Sequence, residues 1–320
     1  MKNSINYYYN ISIDNVTKSD HDYYFYIDGD EFHLVLFDRP YDDIDSIYNL
    51  NKQLKMKGCL VHEIILNKDN RAITMINDIP YVLIKLCRYK NDKVFLNDIN
   101  YIQNMSSYLQ YDQSLLRNDW IRLWSEKIDY YEYQINQLGK KYPLLCDSLS
   151  YFIGIGENAI SYLINNIDIN DNLKVVYKHF NNINNNLVVS HKRINRDLGS
   201  FDFYNPLNFV ADNKSRDVCE YIKNCFFNDC LDIYEVKSYL NINNFTRNDY
   251  IYMYARLLFP TYYFDVYDRI INNGNSEENI IPILEKVDKY EEFLFNIYKY
   301  ILYEKKVQIE PVEWLMRNHS

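Results

Sequence analysis

At 320 residues, with 48% hydrophobic and 17% aromatic content, the chain can bury one large core or two modest ones. Its 35 Lys and Arg against 44 Asp and Glu give a net charge of −9, which excludes an electrostatic grip on a nucleic-acid backbone or an anionic membrane. Tyrosine stands out, at 34 residues against 16 Phe and 3 Trp; the bias reads as the coding habit of an AT-rich genome, and it fills the core with phenol hydroxyls that each need a partner.

The first residues, MKNSINYYYNISIDN, hold no apolar run of signal-peptide length, and no later segment reaches the roughly 18 apolar residues of a membrane span. A cytoplasmic protein is expected. From residue 5 to about 88 the apolar residues fall in short β-rich runs, YYYNISI, DYYFYI, FHLVLF, CLVHEIIL, AITMI and YVLIKLC, which predict strands. Asp28-Gly29 supplies the positive φ of a tight hairpin, and Asp69-Asn70 suggests a second one. Between the third and fourth runs, DDIDSIYNLNKQLKMKG places Ile44, Ile47, Tyr48 and Leu54 on one helical face, with acids at the start and Gly58 as the stop.

After residue 92 the period becomes helical. Trp120, Trp124, Ile128, Tyr131, Ile135 and Leu138 form one long apolar stripe, and Val287, Tyr290, Leu294, Ile297 and Ile301 form another. Shorter helices are predicted over 149–165, 216–227, 248–258 and 277–286, around a polar irregular segment at 166–215. Pro260 ends an apolar helix ahead of an aromatic cluster that reads as core, and Trp314 is expected to anchor the tail. Six cysteines stand at 59, 87, 146, 219, 225 and 230 without a paired knuckle or histidines at zinc spacing. Cys219 and Cys225 therefore read as small apolar residues inside a helix, and the thiols as reduced. The whole predicts an α+β chain with a β-rich lobe over 1–90 and a helical lobe over 91–320.

Three segments carry a more specific likeness: SHKRI at 190–194 with NFVADNKSRDVCEYIK at 208–223, YARLLFPTYYFDVYD at 254–268, and VEWL at 312–315. With five strands, one helix after the third, and a histidine-led loop in a helical lobe, the chain resembles the protein-kinase-like superfamily of aminoglycoside phosphotransferases and choline kinases. Within it the wording is similar to the spore-coat branch of CotS and YutH type. The resemblance implies a bilobal kinase-like fold, with His191, Arg193 and Asp217 as structural scaffold of a degenerate catalytic loop.

Phosphoryl transfer needs metal ions held by carboxylates or amides, a carboxylate to orient the acceptor hydroxyl, and a cation over the phosphates. The family loop, H-x-D-x-x-x-x-N, puts Arg193 and Leu198 at the two polar positions when aligned on His191. FHLVLF contains no Lys; the nearest basic residues are Arg39 and Lys85. The glycine-rich phosphate cover is missing too, since Gly29 is explained by the hairpin and Tyr24 and Tyr26 flank it. Asp197 and Asp202 stand five apart and Asp212 ten further on, so with Asn205 they could form a displaced acidic cluster: Asp197 and Asp202 as catalytic groups, Asp202, Asn205 and Asp212 on Mg²⁺. Against that stands the ordinary role of Asp and Asn as turn formers. Asp217 opens a helix whose apolar face is Val218, Tyr221, Ile222 and Cys225, so its first role is structural.

The expectation is a kinase-like protein with a degenerate site, acting by binding as a structural or scaffold protein, in the spore coat if the source sporulates. An active ATP-dependent small-molecule phosphotransferase is the alternative. No cofactor is expected under the first reading and Mg-ATP under the second; an unidentified protein partner is allowed, nucleic acid is not.

Overall fold

The computed structural model describes residues 1–19, 22–87, 94–106, 109, 112–167, 174–177 and 203–319. The chain forms two compact units: Met1–Leu116 with Lys174–Ala211, and Arg117–Leu173 with Asp212–Ser320. An antiparallel sheet in the first and a mainly helical remainder give the expected α+β class.

The first unit opens with α1 (Lys2–Tyr9), followed by β1 (Thr17–Ser19), β2 (Asp22–Ile27), β3 (Asp30–Leu36), α2 (Asp43–Met56), β4 (Glu63–Ile65), β5 (Ile73–Ile76), β6 (Ile79–Lys85) and α3 (Leu96–Met105). The sheet runs β1-β2-β3-β6-β4, with β5 also paired to β6. Asp28 (φ 51) and Gly29 (φ 82) make the expected turn between β2 and β3. The second turn lies elsewhere: Asn77 (φ 51) and Asp78 (φ 62) join β5 to β6, whereas the segment around Asp69-Asn70 is a loop. β4 and β5 both pair with β6, not with each other. Asn67 organises that loop, its Oδ1 accepting from the amides of Asp69 and Arg71, both at 3.0 Å.

YYYNISI is not a strand. Its tyrosines close α1, which ends at Asn10 in the left-handed conformation (φ 53). Ile5, Tyr9 and Ile13 pack on Phe25, Leu34, Ile76, Tyr81 and Leu83, one face of the sheet. The Tyr9 hydroxyl meets Thr74 Oγ1 at 2.8 Å, and burial pushes its pKa up to about 12. Tyr9→Phe should cost about 1 kcal/mol, visible as a fall in urea midpoint at unchanged slope; an unchanged midpoint would show the hydroxyl to be idle.

α2 follows its prediction closely. Ile44, Ile47, Leu50 and Leu54 are buried, Asp43 and Asp45 fill its first turn, and Gly58 (φ 72) follows its end. Its Asn51 ties it to the start of β4, donating to His62 O at 2.6 Å and accepting from Ile64 N at 3.0 Å.

The second unit comprises α4 (Trp120–Leu138), α5 (Pro143–Asn166), α6 (Ser215–Phe227), α7 (Ile233–Ile242), α8 (Arg247–Leu258), α9 (Thr261–Asn273), α10 (Ile281–Leu284), α11 (Val287–Lys299), a π-helical turn (Tyr300–Glu304) and α12 (Glu313–His319). The α4 stripe is buried at Trp120, Trp124, Ile128 and Tyr131, and the α11 stripe at Tyr290, Leu294 and Ile297. Gly154-Ile155-Gly156 lies inside α5, where a Cβ on Gly156 would stand 2.9 Å from Ile128 Cδ1; the glycine serves close helix packing. Pro260 ends α8, and the aromatic run after it forms α9, buried at Tyr263, Phe264 and Tyr267. Some buried phenols find partners: Tyr131 donates to Asp268, Tyr263 meets Ser148 and Tyr290 donates to Leu257 O, whereas the hydroxyls of Tyr254 and Tyr267 have none among the described residues. Leu315 is fully buried and Trp314 partly buried, so the two anchor the tail together. Among the described residues no helix is long and apolar enough to cross a membrane.

Candidate functional site

Strand alternation sorts β3 into two faces. Phe32, Leu34 and Leu36 belong to the cluster covered by α1, so Glu31, His33 and Val35 face the other way. Neither set includes a lysine. On the face away from α1, His33 Nε2 lies 2.8 Å from Glu31 Oε1 and its ring stacks on Tyr24. Lys85, opposite Phe32, shares the α1 face and pairs with Asp30 at 2.6 Å.

Arg39 is a buried cation of this unit. Its Nε and Nη2 both reach Asp43 Oδ2, at 3.0 and 2.6 Å, and its Nη1 donates to the carbonyls of Leu207 and Phe209 at 3.0 and 2.9 Å. The fork that could have gripped a phosphate thus fastens the first turn of α2 to the chain entering the next strand.

That strand, β8 (Phe209–Asp212), follows a 3₁₀ turn over Pro206–Asn208 and pairs with β7 (Lys174–Tyr177). Asn205 caps the turn, its Oδ1 accepting from Leu207 N at 3.0 Å, and is buried. Of the other candidates, His191, Arg193, Asp197 and Asp202 lie outside the described residues.

Asp212 ends β8 and is 1% exposed. Its Oδ2 accepts from Trp120 Nε1 at 3.0 Å and Arg216 Nη1 at 3.2 Å, while its Oδ1 accepts from Asn213 N at 2.7 Å. Burial raises its pKa, against the pull of Arg216 and the Trp120 hydrogen bond. Placing a divalent cation on this carboxylate would set it against the Arg216 guanidinium. Asp217 lies in the first turn of α6, 1% exposed, where a carboxylate suits the helix dipole, as its sequence position suggests. Among the described residues no group of three or more His, Cys, Asp or Glu is placed to hold a metal ion.

α6 carries a charge network that sequence reasoning missed. Glu220 Oε1 meets Lys223 Nζ at 2.8 Å and Arg256 Nε at 2.5 Å, and Thr261 Oγ1 donates to Glu220 Oε2 at 2.7 Å. Lys223 also donates to the carbonyls of Arg256 and Phe259, and the Arg256 guanidinium lies over Trp120 and Trp124. The Glu220 to Lys223 spacing was visible as a helical i,i+3 pair; Arg256, 36 positions on, was not.

The sheet order, the single helix between β3 and β4, and the helical second unit define a kinase-like phosphotransferase fold. The fold is similar to an aminoglycoside phosphotransferase from Alicyclobacillus acidocaldarius, with TM-score 0.60 and 8% identity over 92% of this chain and 94% of that one. It is likewise similar to spectinomycin phosphotransferase in its AMP-bound complex, with TM-score 0.60 and 11% identity over 91% and 93% of the two chains. The model of the family described as spore coat putative kinase YutH matches residues 2–297, and the chain belongs to that family. The endospore coat-associated protein YutH of Bacillus subtilis is 24% identical over 223 residues, 63% of this chain. The match spans 62% of that relative's length.

Proposed function

We infer that this chain acts by binding, as a kinase-like coat component whose phosphoryl-transfer machinery is degenerate. The observation that carries the reading is the reassignment of the cations: β3 carries no Lys, Lys85 is paired on the α1 face, and Arg39 holds Asp43 and two carbonyls. The state of Asp212 supports it, because both carboxylate oxygens already accept hydrogen bonds and Arg216 sits beside them. The description of the Bacillus subtilis relative as endospore coat-associated supports a place in the coat.

Isothermal titration with Mg-ATP tests this directly. The expected result is no saturable heat up to about 1 mM nucleotide, which limits any binding free energy to less than about 4 kcal/mol; Mg-dependent binding with Kd well below about 1 mM would overturn it. The alternative, an active phosphotransferase using Asp197, Asp202 and Asp212, predicts ATP turnover on a hydroxylated acceptor that Asp202→Asn abolishes. Turnover unchanged in that variant would remove Asp202 from the mechanism.

A further inference from the structure

α6 ends in a Schellman motif built without glycine. Cys230 N donates to Cys225 O at 2.9 Å and Asp229 N to Phe226 O at 3.2 Å, with Asp229 in the left-handed conformation at φ 58. This motif brings the side chain just past the left-handed residue against the one in the last helical turn, commonly as an apolar contact. Here both positions are cysteine, and the backbone bond from Cys230 N to Cys225 O sets the two residues side by side. Lys286 braces the turn, donating to Phe227 O at 2.9 Å and meeting Asp229 Oδ2 at 2.5 Å. Cys225 is buried and Cys230 partly exposed.

We propose that Cys225 and Cys230 are a redox-active dithiol that closes to an intrahelical-cap disulfide by exchange with small disulfides. Cys230, the one solvent reaches, starts the reaction. The Cys230 side chain, and then burial, hold the Cys225 thiol far above its ordinary range, which keeps Cys225 protonated at that stage. The Cys230 thiolate attacks one sulfur of R–S–S–R, forming Cys230–S–S–R and releasing RS⁻. Cys225 then loses its proton and attacks Cys230 Sγ, forming the protein disulfide and releasing the second RS⁻. Two protein thiols are oxidised, one small disulfide is reduced, and the two thiol protons end on two RSH. The hydrogen bond across the cap already brings the two residues together, so ring closure asks for rotation of side chains and little of the backbone.

The test is to incubate the reduced full chain with 2-hydroxyethyl disulfide, digest it without reduction and map the cysteines by mass spectrometry. The expected result is a Cys225–Cys230 link that removes two hydrogens from its peptide, while exposed Cys146 carries the mercaptoethanol adduct. Closure of so short a loop should raise Tm by roughly 2–6 °C. The Cys225→Ser variant should stop at the mixed disulfide on Cys230. The proposal is overturned if Cys230 in the unaltered chain keeps the adduct or stays reduced while Cys146 reacts.

Discussion

Glu220→Gln is expected to destabilise the second unit by about 3–5 kcal/mol, the loss seen when one partner of a buried ion pair is removed and the other charges stay. Lys223 and Arg256 are that remainder: both side chains are nearly or fully enclosed, and both point at Glu220 Oε1. The carboxylate also determines an acid limb. Burial alone would raise its pKa, but Lys223 and Arg256 outweigh burial and bring it from 4.5 down to about 2. A carboxyl depressed in the folded state lends stability that is complete above pH 4.5 and drains away as pH falls from there toward 2. Thermal melts at pH 7, 4 and 3 should therefore show the parent converging on the Gln variant as the acid rises. A variant that melts within a degree of the parent at pH 7 would show the network to be dispensable.

Arg39→Met is the second large effect, again about 3–5 kcal/mol. The substitution fills much of the space, yet leaves the Asp43 carboxylate buried without its counter-charge and removes two donors from the carbonyls of Leu207 and Phe209. Two companions separate the contributions. Arg39→Lys retains charge without the planar fork and should recover only part of the loss. Arg39→Met with Asp43→Leu removes both charges and should be more stable than Arg39→Met alone. If the single Met variant matched the parent in denaturant midpoint while gaining or losing nucleotide response, Arg39 would have to be read as a ligand-facing group.

Much of this architecture could be read in the residues, and the failures have physical causes. α2 and α4 were legible because their buried stripes keep a helical period between clear stops, as Gly58 shows. α1 was misread because Tyr-Tyr-Tyr-Asn-Ile-Ser-Ile has β propensity, while the decisive fact is a tertiary one: Ile5 and Tyr9 find a sheet face to cover. The hairpin at Asn77-Asp78 escaped notice because it takes positive φ twice without a glycine. At the candidate site the missing β3 lysine was plain from FHLVLF. Where Arg39 sends its donors was not, because the acceptors are backbone carbonyls 168 and 170 positions away, and any residue carries a carbonyl. Trp120 looked like a core residue and is one, but its indole N–H also holds Asp212. The cap that joins Cys225 to Cys230 was hidden for a related reason, since Asp229 occupies the left-handed position where glycine is the usual signal.

The position of α1 across the sheet has a consequence for the order of events on the ribosome. Tyr9 is synthesised well before Leu83, by roughly 4–15 s at bacterial and eukaryotic elongation rates of about 5–20 residues per second. An eight-residue helix is too short to persist alone in that interval. The segment therefore waits as unstructured chain until β6 pairs with β3, and its docking becomes a late, long-range closure that seals the apolar face of the newborn sheet.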